Sequence, residues 1–225
     1  IDDILFPNNL DDVEADALVC SNYTADTWNE SNPDYPFFDI TGVPTTLNGS
    51  AILPNNPLCE LTGGYSDQIF DICDASFKVL RTFTILDWCT NEIVENVQII
   101  KIKDDQAPVI TPIEDNDEAA YTSFYACTAD YAVPAPEVTF DCSSWTYEIG
   151  YATPVNGMDP SNGIYYTTNV IGDADTGYTV TDLPEGESWL RYRIIDACGN
   201  MTEAFTVITI VDNVQPVAVC DEFTV

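Results

Sequence analysis

Apolar and polar residues alternate along two stretches of this chain with the period of a β-strand. In residues 79–87, VLRTFTILD, Leu80, Thr82 and Thr84 fall on one face and Arg81, Phe83 and Ile85 on the other. Residues 188–196, SWLRYRIID, repeat the pattern. Each stretch runs into a turn, Asp-Trp-Cys-Thr-Asn at 87–91 or Asp-Ala-Cys-Gly-Asn at 196–200. A second apolar strand follows, at 93–103 or 204–211. Two such strands around a turn of Asp, Gly and Asn predict a β-hairpin. Elsewhere β-branched and aromatic runs are punctuated by Pro and Gly, which predicts an all-β chain of β-sandwiches. Helix signals are weak; the best is residues 9–18, where Asn9 would cap a short acidic helix.

The two hairpins are copies. Asp87 aligns with Asp196 and Cys89 with Cys198, each 109 residues apart. Downstream, KIKDDQAPVI and TIVDNVQPVAV align at Pro108 and Pro216, 108 apart, and upstream Leu18-Val19-Cys20 aligns with Tyr125-Ala126-Cys127, 107 apart. A near-constant offset predicts a tandem duplication. The expected modules are residues 1–105, with a long insertion at about 26–57, and residues 106–215. The proline at each exit stiffens the crossing and blocks continued ladder pairing. Residues 216–225 are too short for a module and read as the first strand of a following repeat or a donated strand. With Ile1 at the start rather than Met and no signal peptide visible, the sequence reads as a piece of a longer array.

Charge narrows the function. The chain carries 38 acids, 6 bases and no histidine, for a net charge of −32. Nucleic acid binding needs a basic surface, and an anionic membrane would repel this one, so neither is expected. No apolar run reaches the roughly 18 residues of a membrane span. Without histidine, Ser-His-Asp and Cys-His machinery is excluded, and no phosphate-cradling glycine loop is present. The abundant acids offer only accidental carboxylate pairs, so no enzyme is expected. Eight widely spaced cysteines without a CxxC read as disulfides, and so as an oxidising exterior; a metal or redox role is the alternative.

The exit D-x-x-x-P-V-x-x-C, with IIDACGN inside the second repeat and SDQIFDICDASFKVLRTFTILDWC in the first, resembles the HYR-like and immunoglobulin-like repeats of giant Bacteroidota surface adhesins. The resemblance covers nearly the whole chain. It implies tandem immunoglobulin-like β-sandwiches, export by type IX secretion and a cell-surface or fibre role without catalytic residues. The first repeat departs from the pattern in having Thr90 where glycine is usual and in its long insertion.

Within the alignment, Cys89 and Cys198 occupy equivalent turns and Cys59 and Cys142 lie in earlier loops, so the expected pairs are Cys59–Cys89 and Cys142–Cys198. Cys20–Cys73 would complete the first repeat, leaving Cys127 and Cys220.

Junction acids are candidate calcium ligands. Asp104 and Asp105 precede the first exit proline, with Glu114, Asp115 and Asp117 nearby, and Asp212 and Asn213 precede the second. Calcium takes six to eight oxygens. The arrangement resembles cadherin linkers, though no DxDxDG loop occurs, and acids at turns also bond locally. Asp87 and Asp196 are expected to accept backbone hydrogen bonds in their turns. Phe37 and Phe38, beside Tyr35 in the insertion, are candidate contact residues. Trp145 and Tyr147, with Tyr151, Tyr165 and Tyr166, could form a glycan platform if exposed and coplanar, or core if not. Asn22, Asn29, Asn48 and Asn200 begin glycosylation sequons.

The reading is a pair of extracellular structural or adhesive modules, partnered by neighbouring repeats, identical subunits or surface glycans, and capable of building a filament. A glycan-binding accessory module of a secreted protein is the alternative, and a passive spacer is a third.

Overall fold

The computed structural model describes residues 3–53, 61–123 and 126–215. The chain forms two units, Ile1–Gln106 with Cys142–Ser144, and Ala107–Asp141 with Trp145–Val225. Both are all-β. Among the described residues, helix is limited to α1 (Phe38–Thr41) and a 3-10 turn at Pro160–Asn162.

In the first unit, short strands β1 (Ile4–Leu5), β2 (Leu18–Val19) and β3 (Thr45–Thr46) precede long strands β4 (Leu61–Cys73), β5 (Ser76–Asp87) and β6 (Glu92–Lys103). The main sheet runs β2-β6-β5-β4, antiparallel except that β2 lies parallel to β6; β1 and β3 form a separate pair. The alternation of β5 sets its burial. Val79, Arg81 and Phe83 are 0% exposed and Ile85 1%, while Leu80, Thr82 and Thr84 are only half-buried. Gln98, Ile100 and Ile102 of β6, each 0% exposed, continue this inner face. Irregular chain from the insertion packs there, led by Trp28 at 2% exposure against Phe77.

Residues 9–18 do not form the expected helix. Asn9 accepts from the Ile99 N–H through Oδ1 instead of capping (2.6 Å), and Leu10 bridges to Ile100. The Asp11 carboxylate takes the N–H groups of Val13 and Glu14, and that of Asp12 takes Ala17. These short acids offer the backbone turn partners that outcompete a helical ladder, and the segment lies as a strap along β6.

Cys20 bonds Cys142, closing a separation of 122 residues, so the expected Cys20–Cys73 and Cys142–Cys198 pairs do not form. The expectation assumed that each repeat closes its own bridges. Instead residues 142–144 join the first unit, where the Ser144 N–H donates to Asp74 Oδ2 at 2.8 Å. Cys73 and Cys198 are also disulfide-bonded. Cys89 and Cys127 are exposed free thiols, so the expected Cys59–Cys89 pair does not form either; Cys59 and Cys220 lie outside the described residues.

The second unit is a β-sandwich. Its strands are β7 (Val109–Ile110), β8 (Asn116–Tyr121), β9 (Thr128–Val133), β10 (Val138–Phe140), β11 (Trp145–Ala152), β12 (Val170–Asp173), β13 (Gly177–Pro184), β14 (Gly186–Asp196) and β15 (Met201–Val211). One sheet runs β11-β14-β15-β8 and the other β12-β13-β9, with β7 and β10 paired separately. Leu190, Tyr192, Ile194, Ile208 and Ile210 from the first face Val180, Leu183, Ala129 and Val133 from the second in one apolar core.

The two hairpin turns have equal length but differ in conformation. Asp87 Oδ1 accepts from Cys89 and Thr90, and Asp196 Oδ1 from Cys198 and Asn200, as such turns require. The Cys89 N–H is the main cause holding the Asp87 carboxyl below its ordinary value. In the second turn Gly199 takes the positive φ, at 89°. With threonine in that place, the first turn moves it to Asn91, φ 56°, a residue that tolerates it.

Candidate functional site

The insertion of the first unit is organised around a buried cation. Arg81 projects inward from β5 at 0% exposure and cannot stay there unpaired. Asp67, its cross-strand partner on β4, supplies both carboxylate oxygens, at 2.8 Å from Nε and 2.7 Å from Nη2. Nη1 donates to Thr41 Oγ1 at 2.8 Å, and Thr41 in turn donates to the Phe37 carbonyl. Trp28 Nε1 and the Tyr35 hydroxyl both donate to Asp67 Oδ2, at 3.1 Å. The guanidinium carbon sits 5.2, 5.3 and 5.7 Å from the rings of Phe38, Tyr65 and Trp28, within cation–π reach. One Arg–Asp pair thus fixes four aromatic side chains and α1. Burial and the Asp67 carboxylate hold the Tyr35 hydroxyl far above the ordinary phenol range, so it acts as a fixed donor. Burial also raises Tyr65.

On the outer side of this cluster lies an open cleft of about 490 Å³, lined by residues from Asn22 to Ile40. Tyr23 and Phe37 meet edge to face at 5.4 Å, and Phe37 lies 4.9 Å from Trp28. Asp34 and Asp39 flank the rings. The lining of the cleft is aromatic and acidic, with no lysine, arginine or cysteine. Phe37 and Phe38 were read from the sequence as contact residues; both are half-buried, Phe37 lining the cleft and Phe38 also packing inward on Tyr65 at 5.1 Å. Arg81, Asp67 and Trp28 were missed. The signal was present: an arginine sharing a strand face with Phe83 and Ile85 requires a buried acid.

The other candidates are scattered. Trp145 is 39% exposed, but Tyr147 is 3% exposed and packs on Tyr178 in the core. Their rings lie 48° apart in plane, so they make no flat platform. Tyr151 pairs with Tyr166, and Tyr165 packs on Arg191 and Phe205. Of the junction acids, Asp104 is buried and accepts the Gln106 N–H, while Asp105 meets Lys103 at 3.2 Å. Asp212 Oδ1 accepts from Thr122 Oγ1 and the Val214 N–H, and Asn213 is exposed. Asp115 accepts the Val207 N–H, and Glu114 and Asp117 are exposed. Cys20 and Cys142 lie near Asp104, but their sulfurs are joined in a disulfide and offer no thiolate ligand. Asn22, Asn29 and Asn48 are exposed; Asn200 is half-buried and donates to Asp196.

No protein-family description matches this chain, and no curated protein does. Among solved structures it is similar to human Protocadherin-24 EC1-2, at 15% identity and TM-score 0.31, over 77% of this chain and 87% of that one. Human mucin-like protocadherin EC1-2 matches at 9% identity and TM-score 0.32, over 72% and 94%. Mouse clustered PcdhgC3 EC1-3 matches at 12% identity and TM-score 0.34, over 68% and 56%. This chain spans 27% of the protocadherin GammaB4 extracellular domain that it also matches. Likeness this slight says nothing about what this chain binds.

Proposed function

We propose that this chain is a pair of immunoglobulin-like modules from an extracellular adhesive or structural protein of the HYR-like repeat type, with the insertion of the first module as its contact surface. The observation that carries the reading is the Arg81–Asp67 pair, which holds an irregular, aromatic-rich segment rigid. A preorganised loop loses little entropy on binding. Disulfide-bonded Cys20, Cys73, Cys142 and Cys198 support an oxidising exterior. Neighbouring repeats and identical subunits are the proposed partners, in series as a filament, with export by type IX secretion. Calcium at Asp104, Asp105, Asp212 and Asn213 belongs to this proposal as a junction stiffener. Exposed Asn22, Asn29 and Asn48 would carry any glycans on the first module. The chain has no enzymatic role in this reading.

Imaging of the native material with the intact mass tests it. Beaded strands and a mass far above 24.8 kDa are expected; dispersed particles of that mass overturn the array. Glycan binding is the second reading, favoured by the Tyr23–Phe37 cleft rather than by Trp145 and Tyr147. Glycan-array binding lost in Tyr23→Ala would establish it, and an empty array would exclude it. Calorimetric titration with Ca²⁺ checks the junction acids.

A further inference from the structure

Strand β4 is the edge of the first unit's sheet, and among the described residues nothing pairs with its outer side. It keeps unbroken register with β5 for 11 residues, from Leu61 to Asp71. At about 3.4 Å per residue that is an edge roughly 37 Å long. Proteins normally blunt such edges with lysine, proline, brevity or a covering segment. The sequence of β4, LTGGYSDQIFDIC, contains neither lysine nor proline, and its one irregularity lies at the far end. Ile69, Phe70 and Ile72 are 41%, 50% and 55% exposed.

Three of the four strands that end the second unit's larger sheets are guarded. Backbone bonds between Tyr151 and Tyr166, at 3.0 and 2.8 Å, cover β11; β8 begins with exposed Asn116, Asp117 and Glu118; β12 has four residues.

Electrostatics points to one occupant. A second copy of a chain of charge −32 is repelled from most of its surface. The β4 edge is an exception. Asp67 is neutralised by Arg81 and Lys101 by Asp12, and on the outer sheet face, with Gln68, Ser66, Leu80, Val97 and Ile99, Lys78 stands against Glu95, so that Asp71 is the one exposed acid of β4 without a described counter-ion. We propose that β4 pairs antiparallel with β4 of a second copy about a twofold axis, merging two four-stranded sheets into one. Such a contact is isologous and needs no other partner. It rests on the reading of the chain as a self-associating adhesive module and names the surface that associates.

The test is sedimentation equilibrium at low and high NaCl, with amide exchange of β4 followed against concentration. A particle of twice 24.8 kDa, favoured by salt as like charges are screened, is expected, with β4 amides protected only at high concentration. The variant Ser66→Lys/Gln68→Lys should weaken dimerisation by at least about tenfold with unchanged thermal unfolding, because it sets like charges across the axis. It also lowers the net negative charge, so weaker association cannot come from general repulsion. Dimers indifferent to the variant, or with β4 exchange independent of concentration, overturn the β4 contact and leave self-association standing. A monomer at every concentration and salt overturns both.

Discussion

Each unit carries a long β-hairpin, and the two hairpins are finished differently. In register, Arg81 faces Gln98 across β5 and β6, and Leu190 faces Thr206 across β14 and β15. These positions correspond, since 190 − 81 = 109 and 206 − 98 = 108, the repeat offsets. Arg81 and Leu190 are both 0% exposed. Where the position is leucine, a second apolar sheet closes the core. Where it is arginine, a polar-lined aromatic layer does, built from the insertion and held by Asp67, Thr41, Trp28 and Tyr35. A buried charge demands hydrogen-bonding partners that a plain apolar sheet cannot offer. The difference between the layers accompanies this exchange of leucine for arginine and the partners the charge needs.

Exchanging these residues breaks the comparison most sharply. Leu190→Arg puts a cation into the apolar core that holds Leu183, Val180 and Ile149. The expected loss exceeds about 5 kcal/mol, enough to unfold the second unit while the first persists. Two separate transitions in urea, only one of them missing in the variant, would show it. Arg81→Leu should cost the first unit about 3–5 kcal/mol, because Asp67, 5% exposed at its side chain, loses its counter-ion. Adding Asp67→Leu should recover only part of this, since Trp28 Nε1 and the Tyr35 hydroxyl lose their acceptor. Full additivity in the double-mutant cycle would mean that the pair is not coupled.

The Cys20–Cys142 bridge sharpens the comparison from another side. Cys20→Ser/Cys142→Ser should lower the stability of the first unit by about 2–5 kcal/mol and leave the second unit's transition in place. An equal shift of both transitions would contradict the assignment of residues 142–144 to the first unit.

The hairpins were legible because the two-residue side-chain period is fixed by the backbone, which also put Arg81 on one face with Phe83 and Ile85 without saying that this face is buried. What covers a sheet face was not. That Trp28 would pack on this face depends on contacts with Phe77 and Arg81, 49 and 53 residues further along the chain, which no local pattern records. The helix expected at 9–18 failed for the same reason. Its acids are equally good turn formers, and β6 decides between the two by binding Asn9 and Leu10. Repeat spacing misled the cysteine pairing because alignment cannot show that residues 142–144 fold with the other unit.

The smallest effect concerns that strap. Asp12 meets Lys101 Nζ at 3.0 Å and Lys103 Nζ at 3.2 Å and accepts the Ala17 N–H. Lys101 foremost, then Ala17 and Lys103, draws its carboxyl from 3.8 to about 2. A carboxyl depressed on folding stabilises the native state above its unfolded value. Asp12 therefore contributes at neutral pH, and the contribution fades as pH falls from about 3.8 through about 2. Asp12→Asn should flatten the acid limb of the stability curve in that window. The difference should shrink in 1 M NaCl, because the group is solvent-accessible and its charges are screened. A carboxyl titration of Asp12 by NMR reads the contact directly. A midpoint near 3.8 would mean that the strap is not held to β6 by its lysines and rests on the bonds of Asn9 and Leu10 to that strand.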